Sequence, residues 1–291
     1  MRQKGFVYAT IASVLIGALI VVNKAALNRS IDPFVLVLAT YVVAAVWSIP
    51  FLLKQKQILR SLSKPLVVRL IILGVVSTGI APVVQIWGQR FTSAVNASFL
   101  ATLSALFTVV FSSLLLKERV FKRNYFFVLP LFSGIYLLLV GFAPVTPTLG
   151  DGLIIIGALF FGFSNSLART LMNTLSALTV AQIQVVLGTL LLILIFIFFG
   201  PKGRVDVLSQ WPWYIATGTL TWLITLMLYK GFDFSGPVMT MFVTLSYPLV
   251  ATIGSFLFLK EAVRTPQALG GVLILWSIYK IVKGQNSNIA I

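Results

Sequence analysis

Long apolar segments dominate the chain, and short polar segments separate them. Residues 6–22 and 92–116 contain no charged side chain. A bilayer core about 30 Å thick is crossed by about 20 helical residues, so segments of this length predict transmembrane helices. They lack the alternation of apolar and polar residues that barrel strands show. Ten spans, numbered in chain order, are predicted at 5–26, 33–53, 66–89, 92–116, 125–142, 152–173, 178–199, 211–231, 236–259 and 267–283.

Composition agrees with this apolar pattern. The chain is 59% hydrophobic and 10% charged, whereas soluble domains carry about 25% charged residues. The net charge of +16 is spread over short loops, which argues against nucleic-acid binding. His and Cys are absent, and the six carboxylates lie at predicted helix ends or in loops. We therefore expect no enzyme, no metal site and no cofactor.

The distribution of Lys and Arg predicts the orientation of the chain. With a cytoplasmic N-terminus, 15 of these residues lie on the cytoplasmic side and 7 on the outer side. The positive-inside rule then places both termini in the cytoplasm. We expect a multi-pass protein of the cytoplasmic (inner) membrane, and the sequence fits either a monomer or a homodimer in the bilayer.

An internal repeat explains why one apolar pattern occurs twice. "FSSLLLKERV" at 111–120 returns as "GSFLFLKEAV" at 254–263, and thirty residues aligned at this offset of 143 share nine identities. Spans 1 and 6 match at an offset of 145. The chain is thus predicted to hold two five-span repeats, 1–143 and 144–291. Because five is odd, the second repeat enters the membrane inverted, as in transporters that bind substrate between their halves.

These features resemble the drug/metabolite transporter superfamily, EamA type. The most specific elements are Leu116-Lys117-Glu118 and Leu259-Lys260-Glu261, at the ends of spans 4 and 9. The resemblance implies an all-α polytopic membrane protein with ten transmembrane helices around a central cavity, alternating access and efflux of small metabolites. Ser104-Ala105 in span 4 is the repeat counterpart of Tyr247-Pro248 in span 9. The chain departs from the family pattern here, because span 4 lacks the proline that is often found at this position. We therefore expect span 4 to be less bent than span 9.

Polar side chains at helical spacing mark candidate cavity-lining positions, because polar groups are unfavourable in hydrocarbon. Interhelical hydrogen bonding is the alternative role, above all for the threonines. Lys24 and Arg169 occupy matching repeat positions near span ends, where they either snorkel to the interface or attract an anion. The candidate substrate-binding residues are Gln85, Asn165, Trp222, Thr221, Thr244, Tyr247 and Thr78.

Two prolines and two glutamates are candidates for hinges or gates. Pro82 and Pro248 each lack a backbone N–H, which would leave the carbonyls of Thr78 and Thr244 without a helical partner. Such breaks persist where the freed group is satisfied internally or lines a cavity. Glu118 and Glu261 follow a lysine at the end of a helix, where each pair either caps the helix or serves as a gate latch.

The sequence therefore predicts a secondary transporter of small organic metabolites that works by alternating access. The interior offers amides, hydroxyls and aromatic rings but no carboxylate, which favours export of an amino acid or related zwitterion. One alternative is an importer or exchanger of anionic metabolites that uses Lys24 and Arg169. A second alternative is a non-transporting membrane scaffold, although a static scaffold gains nothing from an inverted repeat.

Overall fold

A computed structural model describes residues 2–89, 91, 100–116, 122–142, 148–200, 210–259 and 265–287. All regular structure in these residues is helical. The helices are α1 (Arg2–Leu27), α2 (Pro33–Lys54), α3 (Lys56–Arg60), α4 (Lys64–Gly74), a π-helix (Val75–Ile80), α5 (Ala81–Gln89), α6 (Ser104–Leu115), α7 (Lys122–Leu139), α8 (Leu149–Leu171), α9 (Ala177–Phe199), α10 (Trp211–Ser235), α11 (Pro237–Thr244), α12 (Tyr247–Leu259) and α13 (Thr265–Ser287).

Within the described residues, six helical stretches are long and apolar enough to cross a membrane. They are Gln3–Leu27, Pro33–Lys54, Lys64–Gly88, Leu149–Leu171, Ala177–Phe199 and Pro237–Phe258. Large apolar side chains cover outer faces of the bundle, and Phe198 and Phe258 are 72% and 79% exposed. Such a surface suits contact with lipid rather than water. The protein is therefore an all-helical, polytopic membrane protein, while the count of ten spans remains a prediction.

Short polar side chains set the starts of two of these helices. Asp32 accepts hydrogen bonds from the backbone N–H groups of Phe34 and Val35 at the start of α2. Thr148 and Asp151 form a reciprocal capping box at the start of α8. Such side chains satisfy N–H groups that have no partner in the first helical turn. Two of the six carboxylates are thereby used to begin helices.

Span 3 is distorted where the sequence places Pro82. The π-helix precedes this proline, and the N–H of Ala81 donates to the carbonyl of Val76, five residues back. Because a proline has no N–H to donate, the carbonyl of Thr78 loses its regular α-helical partner. The predicted local break in span 3 is thus present as a π turn, a form that often occurs at functional sites.

Span 9 is interrupted at residues 245–246, between α11 and α12. Pro248 is the second residue of α12, where its missing N–H is tolerated. The same missing N–H leaves the carbonyl of Thr244 without its helical donor, and the buried hydroxyl of Ser13 donates to that carbonyl over 3.3 Å. The freed carbonyl is thus satisfied internally, which is one of the two arrangements considered for such a break.

Span 4 is interrupted as well, at residues 102–103. These positions match 245–246 at the repeat offset of 143. The turns use equivalent hydrogen bonds, from the Leu103 N–H to the Leu100 carbonyl and from the Ser246 N–H to the Val243 carbonyl. We expected a less bent span 4 because it has no proline at this position, but the break is present there without proline. Proline is not required, because the N–H of Ala105 is present and donates to the carbonyl of Thr102.

Helices of the two predicted repeats pack against one another. α1 contacts α10, α11 and α12, and α8 contacts α4, α5 and α6. α2 lies against α9 and α10, and α9 lies against α2, α4 and the π-helix. α7 packs along α13. The core is therefore built mainly from contacts between the halves of the chain.

Glycines occupy equivalent places in these contacts. Gly17 of α1 lies against Val250, and Gly162 of α8 lies against Phe107. The two glycines differ by 145 residues and their partners by 143, which are the offsets of the sequence repeat. A side chain at either glycine would collide with the facing helix, so each position needs glycine for the helices to approach closely.

A second pair of glycine contacts follows the same rule. Gly74 of α4 faces Leu187 of α9, and Gly218 of α10 faces Val43 of α2. Both glycines and both partners differ by 144 residues. Helix contacts that the sequence does not reveal therefore occur twice, at positions of the two halves that are 143 to 145 residues apart.

Candidate functional site

The break in span 9 is held against α1 by polar groups. The hydroxyl oxygens of Ser13 and Ser246 lie 2.7 Å apart, in addition to the bond from Ser13 to the Thr244 carbonyl. The Thr244 hydroxyl donates to the Met241 carbonyl of its own helix over 2.8 Å. Thr244 is 2% exposed. The Thr244 side chain is hydrogen-bonded within its own helix. Its backbone carbonyl is the group that accepts a hydrogen bond from the neighbouring span.

Asn165 lies where three spans meet. Its amide nitrogen donates to the hydroxyl of Thr108 over 3.1 Å and to the sulfur of Met241 over 3.4 Å. The residue is half-buried, and no described residue donates to its amide oxygen. We call Asn165, Thr108 and Met241 the Asn165 junction. It joins α8 to one helix from each broken span.

Two buried serines extend this contact along α6 and α8. The hydroxyl oxygens of Ser112 and Ser166 lie 2.9 Å apart, and Ser166 is also within 3.2 Å of the Thr108 carbonyl. Both serines are 0% exposed. The sequence analysis did not identify this pair, although each serine interrupts an apolar stretch. Hydrogen bonds of this kind fix the rotation of one transmembrane helix against another.

Thr78 lies within the π-helix of span 3, and Gln85 lies in α5, which follows it. The half-buried side chain of Gln85 crosses α8 at Gly157. Thr78 is 1% exposed and packs against Gly188 of α9. This placement favours a packing role for Thr78, which was the alternative considered for the threonines.

Trp222 belongs to a different group of helices. Its indole N–H donates to the side-chain oxygen of Gln182 over 3.0 Å. Its ring lies near those of Trp47 and Phe51, with centroid distances of 6.3 and 5.8 Å. Gln85 contacts α8, whereas Trp222 contacts α2 and α9. The two side chains thus have no neighbouring helix in common among these contacts.

The remaining candidates are spread over the bundle. Thr221 is buried, and its hydroxyl has no hydrogen-bond partner in the described structure. Tyr247 is half-buried at the start of α12, and Lys24 is exposed near the end of α1. Glu118 and Glu261 lie outside the described residues.

Arg169 forms an ion pair that sequence reasoning missed. Its guanidinium lies 3.2 Å from the carboxylate of Asp233, with side-chain exposures of 26% and 45%. The pair joins α8 to the last turn of α10. Asp233 was visible in the sequence as a carboxylate near a span end, but nothing in a linear pattern connects it to a residue 64 positions away. Within the described residues, no three His, Cys, Asp or Glu side chains are grouped to hold a metal ion.

The fold and these polar contacts define a multi-pass helical membrane protein with hydrogen-bonding side chains at breaks in its spans. The chain belongs to the EamA-like transporter family, whose model matches residues 3–140 and again residues 148–283. Membership of this family indicates a membrane transporter of small molecules.

The chain is also similar to one named protein and to one solved structure. The chain is 22% identical over 219 residues to a protein of Methanothermobacter thermautotrophicus named an uncharacterized transporter. The match covers 72% of this chain and 63% of that protein, so the chain spans somewhat less than two thirds of its relative's length. A solved crystal structure is similar in fold, with a TM-score of 0.80 over 96% of both chains and 17% identity.

Proposed function

We propose that the protein is a secondary transporter that exports a small amino acid or related zwitterion across the cytoplasmic membrane by alternating access. The observation that carries this proposal is the pair of matching breaks, at residues 102–103 and 245–246. Each interrupted span packs against the first helix of the other half, α8 or α1. A broken helix bends at lower cost than a continuous one, because fewer helical hydrogen bonds must change.

The repeated contacts support two inverted five-span repeats, 1–143 and 144–291. Equivalent glycines hold span 1 against span 9 and span 6 against span 4, and one family model matches both halves. In transporters with inverted repeats, the halves exchange conformations and so expose a central site to each side in turn. We place the cargo between the halves, beside the two breaks.

The Asn165 junction supplies the chemistry for a zwitterion. No described residue donates to the amide oxygen of Asn165, so this oxygen can accept a hydrogen bond from a cargo ammonium group. Gln85 and Trp222 remain proposed contributors from other helices. Pairing with Asp233 engages Arg169, which weakens the alternative of an anion site built on Lys24 and Arg169.

Counterflow in proteoliposomes tests the proposal. Vesicles loaded with unlabelled amino acids should accumulate the labelled compound when the protein is present. Asn165→Ala should weaken the cargo affinity, whereas Asn173→Ala, at an exposed position just after the same helix, should leave the affinity unchanged. Absence of counterflow for every amino acid and related zwitterion would refute the proposed function.

Gln85→Ala and Trp222→Ala test the wider site. Each variant should remain folded and bind cargo more weakly than the wild-type protein does. An unchanged equilibrium affinity in both variants would remove these two residues from the site and leave the Asn165 junction as its centre.

A further inference from the structure

Exposed cations are concentrated where α2 ends and α4 begins. We call them the cationic surface, which consists of Lys54, Lys56, Arg60, Lys64 and Arg69. No Asp or Glu occurs in the sequence between Asp32 and Glu118. In the described structure, none of the five charged groups takes part in an ion pair or a hydrogen bond. The described part of the protein therefore leaves this positive charge unbalanced.

The segment that carries the cationic surface is fixed to the core. The hydroxyl of Thr179, in the first turn of α9, donates to the side-chain oxygen of Gln55 over 2.6 Å. Leu59 and Leu62 pack against the buried apolar cluster that α4, α8, α9 and α10 share. These contacts hold α3 against the end of the bundle. Charge that serves only to orient a chain in the membrane does not need such anchoring, so the fixed position of the cations calls for a further reason.

Exposed apolar side chains continue the face of α4 that begins with Lys64. Val68 and Ile72 follow Lys64 at intervals of four residues, which places all three on one face of the helix. Val68 and Ile72 are 54% and 41% exposed, and the membrane-crossing stretch begins at Lys64. At a rise of 1.5 Å per residue, they lie about 6 and about 12 Å further into the membrane than Lys64 does. Lys64 is thus at the level of the lipid headgroups, and the apolar side chains are at the level of the acyl chains.

We propose that the cationic surface and the exposed face of α4 together bind an anionic phospholipid. Lys56 and Arg60 lie four residues apart on one face of α3, and with Lys64 they donate charge-assisted hydrogen bonds to the headgroup phosphate. An acyl chain of the same lipid packs along Val68 and Ile72. Each cation near an anionic membrane surface favours association by about fivefold. A zwitterionic phospholipid has no net charge and gains less. This lipid partner is independent of the compound that the protein transports.

Native mass spectrometry of the full chain tests the proposal, because it identifies the first lipid that binds. Delipidated protein in detergent is mixed with equal amounts of phosphatidylglycerol and phosphatidylcholine that carry the same acyl chains. The wild-type protein should bind phosphatidylglycerol with a preference of at least about tenfold. Equal binding of the two lipids would overturn the proposal and leave a soluble anionic molecule as the partner of the cationic surface.

Substitutions separate the cationic surface from the overall charge of the protein. Lys64→Gln should lower the preference for phosphatidylglycerol by about fivefold, and the triple variant Lys56→Gln, Arg60→Gln, Lys64→Gln should reduce it to less than about twofold. The charge-conserving triple variant Lys56→Arg, Arg60→Lys, Lys64→Arg should keep the preference. Lys4→Gln is the matched control, since Lys4 is an exposed cation at the start of α1. Equal losses in Lys4→Gln and Lys64→Gln would show that net charge alone attracts the lipid and would overturn the site.

The soluble headgroup tests the contribution of the acyl chain. Glycerophosphoglycerol carries the phosphate of phosphatidylglycerol without its acyl chains, so millimolar concentrations of it should not displace the bound lipid. Displacement would overturn the assignment to a lipid and indicate a site for free phosphate compounds. This competition and the two-lipid comparison use wild-type protein, and they therefore do not depend on the folding of a variant.

Discussion

Ser13→Ala is the most direct perturbation of the break in span 9. The Ser13 hydroxyl donates to the Thr244 carbonyl over 3.3 Å and lies 2.7 Å from the Ser246 hydroxyl oxygen. Alanine keeps the helix and removes only that hydroxyl. The carbonyl of Thr244 then remains buried without a donor, because the residue four positions on is Pro248, which has no N–H.

The expected loss of stability follows from that unpaired carbonyl. Leaving a buried acceptor unsatisfied destabilises by about 1–3 kcal/mol. Ser48→Ala is the matched control, since Ser48 is likewise buried but donates to the Ala44 carbonyl of its own helix. That carbonyl also has the regular helical donor, and alanine has the higher helix propensity. Ser48→Ala should therefore change stability by less than about 0.5 kcal/mol.

The structure also predicts how Ser13→Ala combines with Pro248→Ala. At the equivalent place in span 4, Ala105 donates its N–H to the Thr102 carbonyl, and the break remains. An alanine at 248 should likewise donate to the Leu245 carbonyl and leave the Thr244 carbonyl dependent on Ser13. The two substitutions should therefore be additive within about 0.5 kcal/mol. If alanine instead closed the helix, Ser13→Ala would become neutral in that background.

Unfolding of purified protein in one fixed detergent, followed by circular dichroism, measures these differences. Ser13→Ala should lower the midpoint by several degrees relative to Ser48→Ala. Equal midpoints for the two serine variants would show that the hydrogen bond to Thr244 contributes nothing. Rescue of Ser13→Ala by Pro248→Ala would show that proline, rather than the turn at 245–246, maintains the break.

Three further predictions concern orientation, turnover and the ion pair. Reporter fusions at Ile291 and within 200–210 should place the C-terminus in the cytoplasm and the loop outside, and a periplasmic reporter signal at Ile291 would contradict both. Pro248→Ala should leave turnover near the wild-type level in the counterflow assay, because span 4 breaks without proline; a large loss of turnover at unchanged affinity would restore Pro248 as the hinge. Asp233→Asn should lower the free energy of unfolding by less than about 1 kcal/mol, because the ion pair with Arg169 is partly exposed. The double exchange Arg169→Asp with Asp233→Arg should recover this lost stability. A larger loss of stability in Asp233→Asn would mean that the pair is more strongly coupled to the fold.

The order of apolar and polar residues along the chain was enough to predict the features that depend on local composition. Apolar runs placed helices near the observed ranges, because the length needed to cross a bilayer and the cost of buried charge act on each segment separately. The repeat was visible because related segments keep their spacing along the chain. Pro82 and Pro248 marked two of the three observed distortions, since a missing N–H affects a helix wherever it occurs.

The partners of the polar side chains depend on tertiary packing. Asn165 was a candidate from its position in span 6, but its contacts with Thr108 and Met241 follow from the way three helices meet. Likewise, Trp222 finds Gln182 forty residues away, and helical periodicity carries no information about such a pairing. The sequence analysis expected helix breaks only at prolines. It therefore missed the break in span 4 at residues 102–103, because Ala105 has a backbone N–H and is compatible with a continuous helix. Local chemistry there permits either state, so the choice was made by the packing of span 4 against α8.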